Sequence, residues 1–289
     1  MSLSEARPLF HHILQYFTKI VRRNTFDCCL SCGRVLNRGA PLFVIHRTIR
    51  YIRSKVSSKM RSMRVVCLQH VPFEGPGAFA KALARRGVDL QYSLVPKEGI
   101  PKDSGDLLIV MGGPMSVNDS DKWIAEETAF IRSALLAGQP MIGVCLGSQF
   151  MAKALGGTVR SGQVLEIGMT AVRLTDAGKQ DPVFGVWPES FPVFEWHGEV
   201  FDLPKGCVSL AGSDVVPLQA FRYGDRAYGL LFHLEMEESG IDSLCRECAP
   251  DLMKARLTGQ QVRSAALPQL PQLHLTADRL IGHLLQSSR

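Results

Sequence analysis

The sequence predicts a three-layer α/β domain in which a mostly parallel central sheet is covered by helices on both faces. Short, nearly continuous apolar runs such as 107–111 and 141–146 alternate with stretches of helical period, and strands apolar on both sides belong to sheets buried on both faces. The composition, 46% hydrophobic and 21% charged, is that of a chain able to fold around a sizeable core.

Taken in order, "MRVVCLQH" from Met63 reads as a β-branched strand, "GAFAKALARRG" as a helix ended by Gly87, and "DLQYSLV" as a second strand, a βαβ opening. "DLLIVMGG" is a buried strand, Lys122 to Ala137 a long amphipathic helix, "PMIGVCLG" another buried strand and "SQFMAKALGG" a helix closed by glycine. After Gly157 shorter strands and turns follow: "TVRSG", "MTAVRLT", "FPVFEWHG", "CVSLAGS", "PLQAFRY" and "AYGLLFHLE". A last helix, Thr276 to Leu285, is expected to pack back on the sheet. No apolar run approaches the roughly 20 residues that span a bilayer.

Charge sets the first 62 residues apart. They hold twelve Lys and Arg against Glu5 and Asp27, a local charge of +10 in a chain of net +6, which leaves 63–289 at −4. A mildly acidic main domain argues against nucleic-acid binding, which needs clustered cations, and against a membrane role. The domain boundary is therefore placed at 62/63, with 1–62 a basic N-terminal extension. Three readings of the extension compete: a start codon set too far upstream, with Met63 the native start; an Arg-rich targeting or membrane-surface segment built on "FVIHRTIRYIRSKV"; and a folded extra module.

Eight cysteines without a recognisable secretory signal point to a reducing compartment, the cytoplasm. Cys29/Cys32 and Cys245/Cys248 have the C-x-x-C spacing of zinc ligands, but more than 200 residues separate the pairs and no His or Gly-rich knuckle flanks either. The expectation is no metal site.

The chemistry is concentrated elsewhere. In "IGVCLGSQF", Cys145 stands between Gly143 and Gly147 where a buried strand meets a helix. Small neighbours allow the sharp turn that lifts a nucleophile out of the sheet. The unpaired amides and dipole of the helix favour an anionic sulfur there. Alone the pattern is weak, because buried cysteines are often only small hydrophobes. Near the end of the chain "AYGLLFHLE" offers His233 and Glu235, whose spacing of two puts both on one side of a strand, so that the carboxylate can orient the imidazole. A structural histidine and a solvated glutamate are the plainer alternative. A third element, "VMGGPMS", stops an apolar strand at Gly112-Gly113-Pro114. The amides of Gly113 and Leu146 could face a developing oxyanion, or the glycines could be mere punctuation.

Together "GGPMSVND", "GVCLGSQFMAKALGG", "EWHGE" and "FHLE" resemble the motifs, in order, of the class I glutamine amidotransferase family, specifically its stand-alone branch similar to the amidotransferase domain of GMP synthase and to the C26 peptidases. The resemblance covers 63–289 and none of 1–62. It implies a flavodoxin-like three-layer sandwich with Cys145 as nucleophile, His233 as base and Glu235 as its orienter. By the same resemblance Gly113 and Leu146 form the oxyanion hole, Gln149 contacts the substrate, and Gly198-Glu199 receive its amino-acid end, with His197 shaping the pocket. It implies no cofactor. The chain departs from the family pattern at Leu231, where Gln is usual, and at Leu234, where many members have Pro; Leu231 is expected to point to the side of His233 and to alter a hydrogen bond near the site.

Three functions compete. The first is hydrolysis of the glutamine side-chain amide through a γ-glutamyl thioester; with no G-x-x-x-x-G-K-[ST] loop and no room for a synthetase, ammonia would pass to a partner enzyme in trans. The second is hydrolysis of a γ-glutamyl peptide or amine by the same triad. The third is a non-enzymatic regulatory module, against which both nucleophile and base are retained. A resemblance to the DJ-1/PfpI group would require His directly after the nucleophile, where Leu146 stands.

Overall fold

The computed structural model describes residues 63–286 and, upstream, only the backbone of two strands, β1 (Asp27–Cys28) and β2 (Val35–Leu36), which pair antiparallel. The chain divides into two units, Met1–Arg61 and Ser62–Arg289. The three readings of the basic extension and the Cys29/Cys32 pair concern residues outside those described.

In the second unit β3 (Arg64–Gln69), helix α1 (Gly77–Arg85) and β4 (Asp89–Leu94) form the expected βαβ opening. A short helix α2 (Val95–Glu98), β5 (Leu107–Val110), α3 (Lys122–Leu136), β6 (Met141–Val144) and α4 (Leu146–Ala154) continue the alternation. The second half contributes β7 (Val159–Leu174), α5 (Asp176–Gln180), β8 (Ser190–Phe201), β9 (Cys207–Gly212), β10 (Ala220–Tyr223) and β11 (Ala227–Leu230). Four helices close the domain: α6 (Glu238–Glu247), α7 (Ala249–Ala255), α8 (Gly259–Ala266) and α9 (Leu270–Gln286). Of these four helices the sequence pattern predicts only part of α9. It also splits β7, a single 16-residue strand, into two.

All nine strands of this unit share one sheet, in the order β4-β3-β5-β6-β11-β10-β9-β7-β8. The first five are parallel to one another and the last four are joined through antiparallel pairings. Alternation along the strands builds two cores. Val65, Cys67, Leu107 and Ile109 join the side chains of α1 and α9 on one face, among them Phe79, Leu83, Ala277 and Leu280. Val66, Leu68, Leu108 and Val110 join Ile124 and Ile131 of α3 and Phe150 and Met151 of α4 on the other. No described helix is long and apolar enough to cross a membrane.

The junction between β6 and α4 depends on backbone contact. A Cβ placed on Gly147 would stand 2.0 Å from the carbonyl oxygen of Val110, and one on Gly143 would stand 2.5 Å from the Met151 sulfur and 2.6 Å from the Gly147 carbonyl. Both flanking glycines are required by close approach, at angles any residue could adopt. Gly147→Ala is therefore expected to destabilise the domain by about 3 kcal/mol, lowering the melting temperature by roughly 6–12 °C in a calorimetric or circular-dichroism melt.

Candidate active site

Strand β6 ends at Val144 and α4 begins at Leu146, so Cys145 alone makes the turn. Its φ of 49° lies in the left-handed region, where a non-glycine residue costs on the order of 1–3 kcal/mol. The neighbours hold it there: the Cys145 amide donates to the Leu230 carbonyl at 2.8 Å, and Ser148 Oγ donates to the Cys145 carbonyl at 2.7 Å. The thiol is buried, with Sγ 3.6 Å from the carbonyl oxygen of Trp196 on β8.

The structure joins His233 and Glu235 by a different route from the expected strand alternation. Strand β11 stops at Leu230, and the two residues lie in the loop beyond it. His233 forms an isolated antiparallel bridge with Phe194, donating its amide to the Phe194 carbonyl at 2.8 Å. The carbonyl of Glu235 accepts the Ala78 amide at the start of α1 at 2.9 Å, and the Met236 carbonyl lies 2.7 Å from His274 Nε2 on α9. Pinned in this way, Nδ1 of His233 lies 2.7 Å from Glu235 Oε1, both side chains being almost wholly buried. Burial alone lowers the pKa of His233, but the charge of Glu235 and interactions with Cys145 and Glu235 raise it well above the usual histidine value. A ring so placed readily keeps a proton taken from sulfur.

These groups converge over one glycine. A Cβ on Gly112 would lie 2.3 Å from Glu74 Oε2, 3.3 Å from His233 Cε1 and 3.5 Å from Cys145 Cβ. Gly113 follows and lines the same cleft as Cys145, with a volume of about 460 Å³. Among the described residues no hydrogen-bond acceptor meets its amide. Leu146 opens α4, its amide at the helix N-terminus. Gln149, Gly198 and Glu199 also line the cleft; Gln149 Nε2 donates to the Glu199 carbonyl at 3.4 Å, and Ser116 Oγ donates to Glu199 Oε1 at 3.0 Å. Gly113, Cys145, Gln149, His197, Gly198 and Glu199 thus line this cleft and His233 stands beside it at Gly112, whereas Leu231 and Leu234 lie in the core.

Leu231 departs from expectation. It is fully buried in the core that holds Leu146 and Phe150, and its amide donates to the Gln219 carbonyl at 2.8 Å. Because the strand has ended, period-two alternation no longer aligns it with His233, and it does not line the cleft. His197 is held between two acids: its Nε2 is 3.1 Å from Glu195 and 3.3 Å from Glu166, the residue directly across the β7–β8 ladder. Burial opposes its charge, but these carboxylates lift its pKa to about 9.

Several lining residues belong to no motif that marks them as part of this site. Leu244, Cys248, Asp251 and Lys254 come from α6 and α7 and the junction between them. Cys245 and Cys248 sit half-buried there, with Cys245 Sγ 3.9 Å from the Gly259 carbonyl; among the described residues no group of three potential metal ligands occurs. Glu74 lies in the loop after β3, and an acid at the carboxyl end of a parallel strand was the available signal. Its carboxyl is pushed up to about 7, chiefly by burial, with Glu235 adding to the shift and His233 and His70 opposing it. The folded state therefore holds a proton that the unfolded chain releases near 4.5, so stability attributable to Glu74 falls as pH rises from about 4.5 to 7. Glu74→Gln is expected to remove this slope, and to be more stable than the parent above pH 7 by up to about 3 kcal/mol, read from urea melts across pH 4.5–8.

A strained cysteine elbow facing a histidine–carboxylate pair defines a thiol hydrolase. The class I glutamine amidotransferase family model matches residues 77–244. The glutamine amidotransferase-like protein YfeJ of Salmonella typhimurium is 32% identical over 202 residues, covering 67% of this chain and 84% of YfeJ. The glutamine-hydrolysing GMP synthase of Latilactobacillus sakei is 33% identical over 172 residues, covering 58% of this chain but only 30% of that enzyme. A crystal structure of a glutamine amidotransferase from Thermotoga maritima superposes with a TM-score of 0.72 at 27% identity, covering 78% of this chain and all of that one. The chain belongs to the class I glutamine amidotransferase family, whose members are Cys–His–Glu hydrolases.

Proposed function

We propose that the chain hydrolyses the side-chain amide of glutamine, with Cys145, His233 and Glu235 as the catalytic triad. The observation that carries this is the 2.7 Å contact of Glu235 with His233 beside the strained Cys145 turn. His233 takes the thiol proton while Sγ attacks the γ-carboxamide carbon. The resulting oxyanion is met by the amides of Gly113 and Leu146, and His233 then protonates the departing nitrogen, releasing ammonia and leaving a γ-glutamyl thioester. Water attacks the thioester with His233 again as base, and glutamate and the free thiol are regenerated. Gln149, Gly198 and Glu199 hold the amino-acid end of the substrate. No cofactor takes part.

The acceptor for ammonia is a separate synthetase. Supporting this, the resemblance to that GMP synthase is confined to 30% of its length. A reducing compartment, the cytoplasm, suits a chain whose described cysteines are all free thiols, the nucleophile included. One observation favours a second reading, hydrolysis of a larger γ-glutamyl amide: the cleft also extends to Leu244, Cys248, Asp251 and Lys254. A panel of γ-glutamyl amides separates the readings by kcat/KM, a strong preference for a bulky amine over ammonia favouring the second.

Treatment with 6-diazo-5-oxo-norleucine is expected to label Cys145, as mapped by peptide mass spectrometry, and to label nothing in Cys145→Ala; modification of a different cysteine would sink the assignment. His233→Ala is expected to lower kcat by about 10⁴-fold or more.

A further inference from the structure

The peptide group between Gly112 and Gly113 borders the cleft. It is trans, as are all peptide bonds described, so the Gly112 carbonyl and the Gly113 amide point in opposite directions from one rigid plane. The carbonyl has a partner: His70 Nδ1 lies 3.0 Å from it. The other ring nitrogen, Nε2, lies 3.0 and 3.2 Å from the two carboxylate oxygens of Glu127 on α3. Both side chains are wholly buried. Trp123 and Phe150 stack near the ring at centroid distances of 5.8 and 5.5 Å, tilted by 30° and 22°.

Because both ring nitrogens face acceptors, the arrangement calls for a proton on each, an imidazolium paired with a carboxylate. Two aromatic faces suit that charge. Fixing a ring to a loop carbonyl does not itself require a buried ion pair, which is costly to desolvate. What the pair adds is a charge-assisted donor, stronger and more directional than a neutral one, aimed at a single carbonyl. A glycine-glycine peptide next to a cleft otherwise has little to stop it rotating. The side chain of His70 also sits at the back of the loop, its Cβ 3.0 Å from where a Cβ on Gly113 would be.

We propose that His70, held by Glu127, is a positioning residue that locks the Gly112–Gly113 peptide so that the Gly113 amide faces the oxyanion. The inference rests on the assignment of that amide to the oxyanion hole. His70 does not line the cleft; it acts through the carbonyl on the far side of the peptide whose N–H does the work.

The test compares two double variants, since replacing His70 alone strands the buried charge of Glu127. His70→Phe with Glu127→Gln keeps a ring and removes the donor; His70→Asn with Glu127→Gln restores an N–H near the place of Nδ1. In the Phe variant kcat for γ-glutamyl amide hydrolysis is expected to fall about 100-fold, the effect of losing one oxyanion donor, with KM changed less than about threefold. The Asn variant should recover at least about tenfold of that loss. Alkylation of Cys145 by iodoacetamide, which needs no oxyanion hole, should proceed at the parental rate in both. An unchanged kcat in the folded Phe variant, an equal loss of alkylation, or no recovery with Asn would each overturn the proposal. If the parent protein hydrolyses no γ-glutamyl amide, the functional reading fails. The positioning role is then still decided by a crystal structure of the Phe variant: a rotated Gly112–Gly113 peptide supports it, and a retained one refutes it.

Discussion

The carbonyl oxygen of Val110 occupies the place where residue 147 would carry a side chain. That contact lets α4 start directly against the ends of β5 and β6, which in turn forces Cys145 into a positive φ and lifts its thiol above the sheet. The remaining site geometry is fitted to a sulfur in that position: the Trp196 carbonyl beside it, Gly112 packed against its Cβ, the His233 ring across from it. Strain at Cys145 is thus a by-product of how closely three backbone segments pack, and it is sustained by hydrogen bonds to Leu230 and Ser148.

The two halves of the sheet divide the labour. The parallel half supplies the elbow, the Gly112-Gly113 loop and the loop carrying His70 and Glu74, all at the carboxyl ends of strands. The antiparallel half supplies a wall. β8 alone pairs its backbone with His233 at Phe194, meets the thiol at Trp196, and presents His197, Gly198 and Glu199 to the cleft. One extended strand therefore touches His233, Cys145 and the wall of the cleft at Gly198 and Glu199. Glu195 on β8 and Glu166 on the neighbouring β7 flank His197 and raise its pKa.

Much of this was legible in the sequence because local patterning and global fold agree. The parallel strands are apolar on both sides since both sides are covered, and the elbow announces itself through glycines that close packing demands. What was hidden has physical reasons too. His233 and Glu235 looked like neighbours on a strand, whereas they meet in a loop held by a bridge to Phe194 and a hydrogen bond to Ala78, contacts over long sequence distances that no local pattern encodes. The same misreading placed Leu231 at the site when it belongs to the core. Glu74 and His70 lie in a loop without periodicity, and their meaning depends on what packs over Gly112. The helices α6 and α7 are short and weakly apolar, so their contribution to the cleft could not be read from period alone.

Strand β11 enters the sheet late in the sequence yet lies at its middle, between β6 and β10. Cys145 is consequently made long before His233. At the roughly 5–20 residues per second of ribosomal synthesis, roughly 4–18 s separate the emergence of Cys145 from that of His233 and Glu235. In that interval the parallel strands β3 to β6 have no neighbour on one edge, the Cys145 amide lacks its Leu230 acceptor, and the thiol lacks the His233 ring. Insertion of one four-residue strand closes that edge, supplies the Leu230 acceptor and draws His233 in beside the thiol, and the helices α6 to α9, made later still, then close the domain.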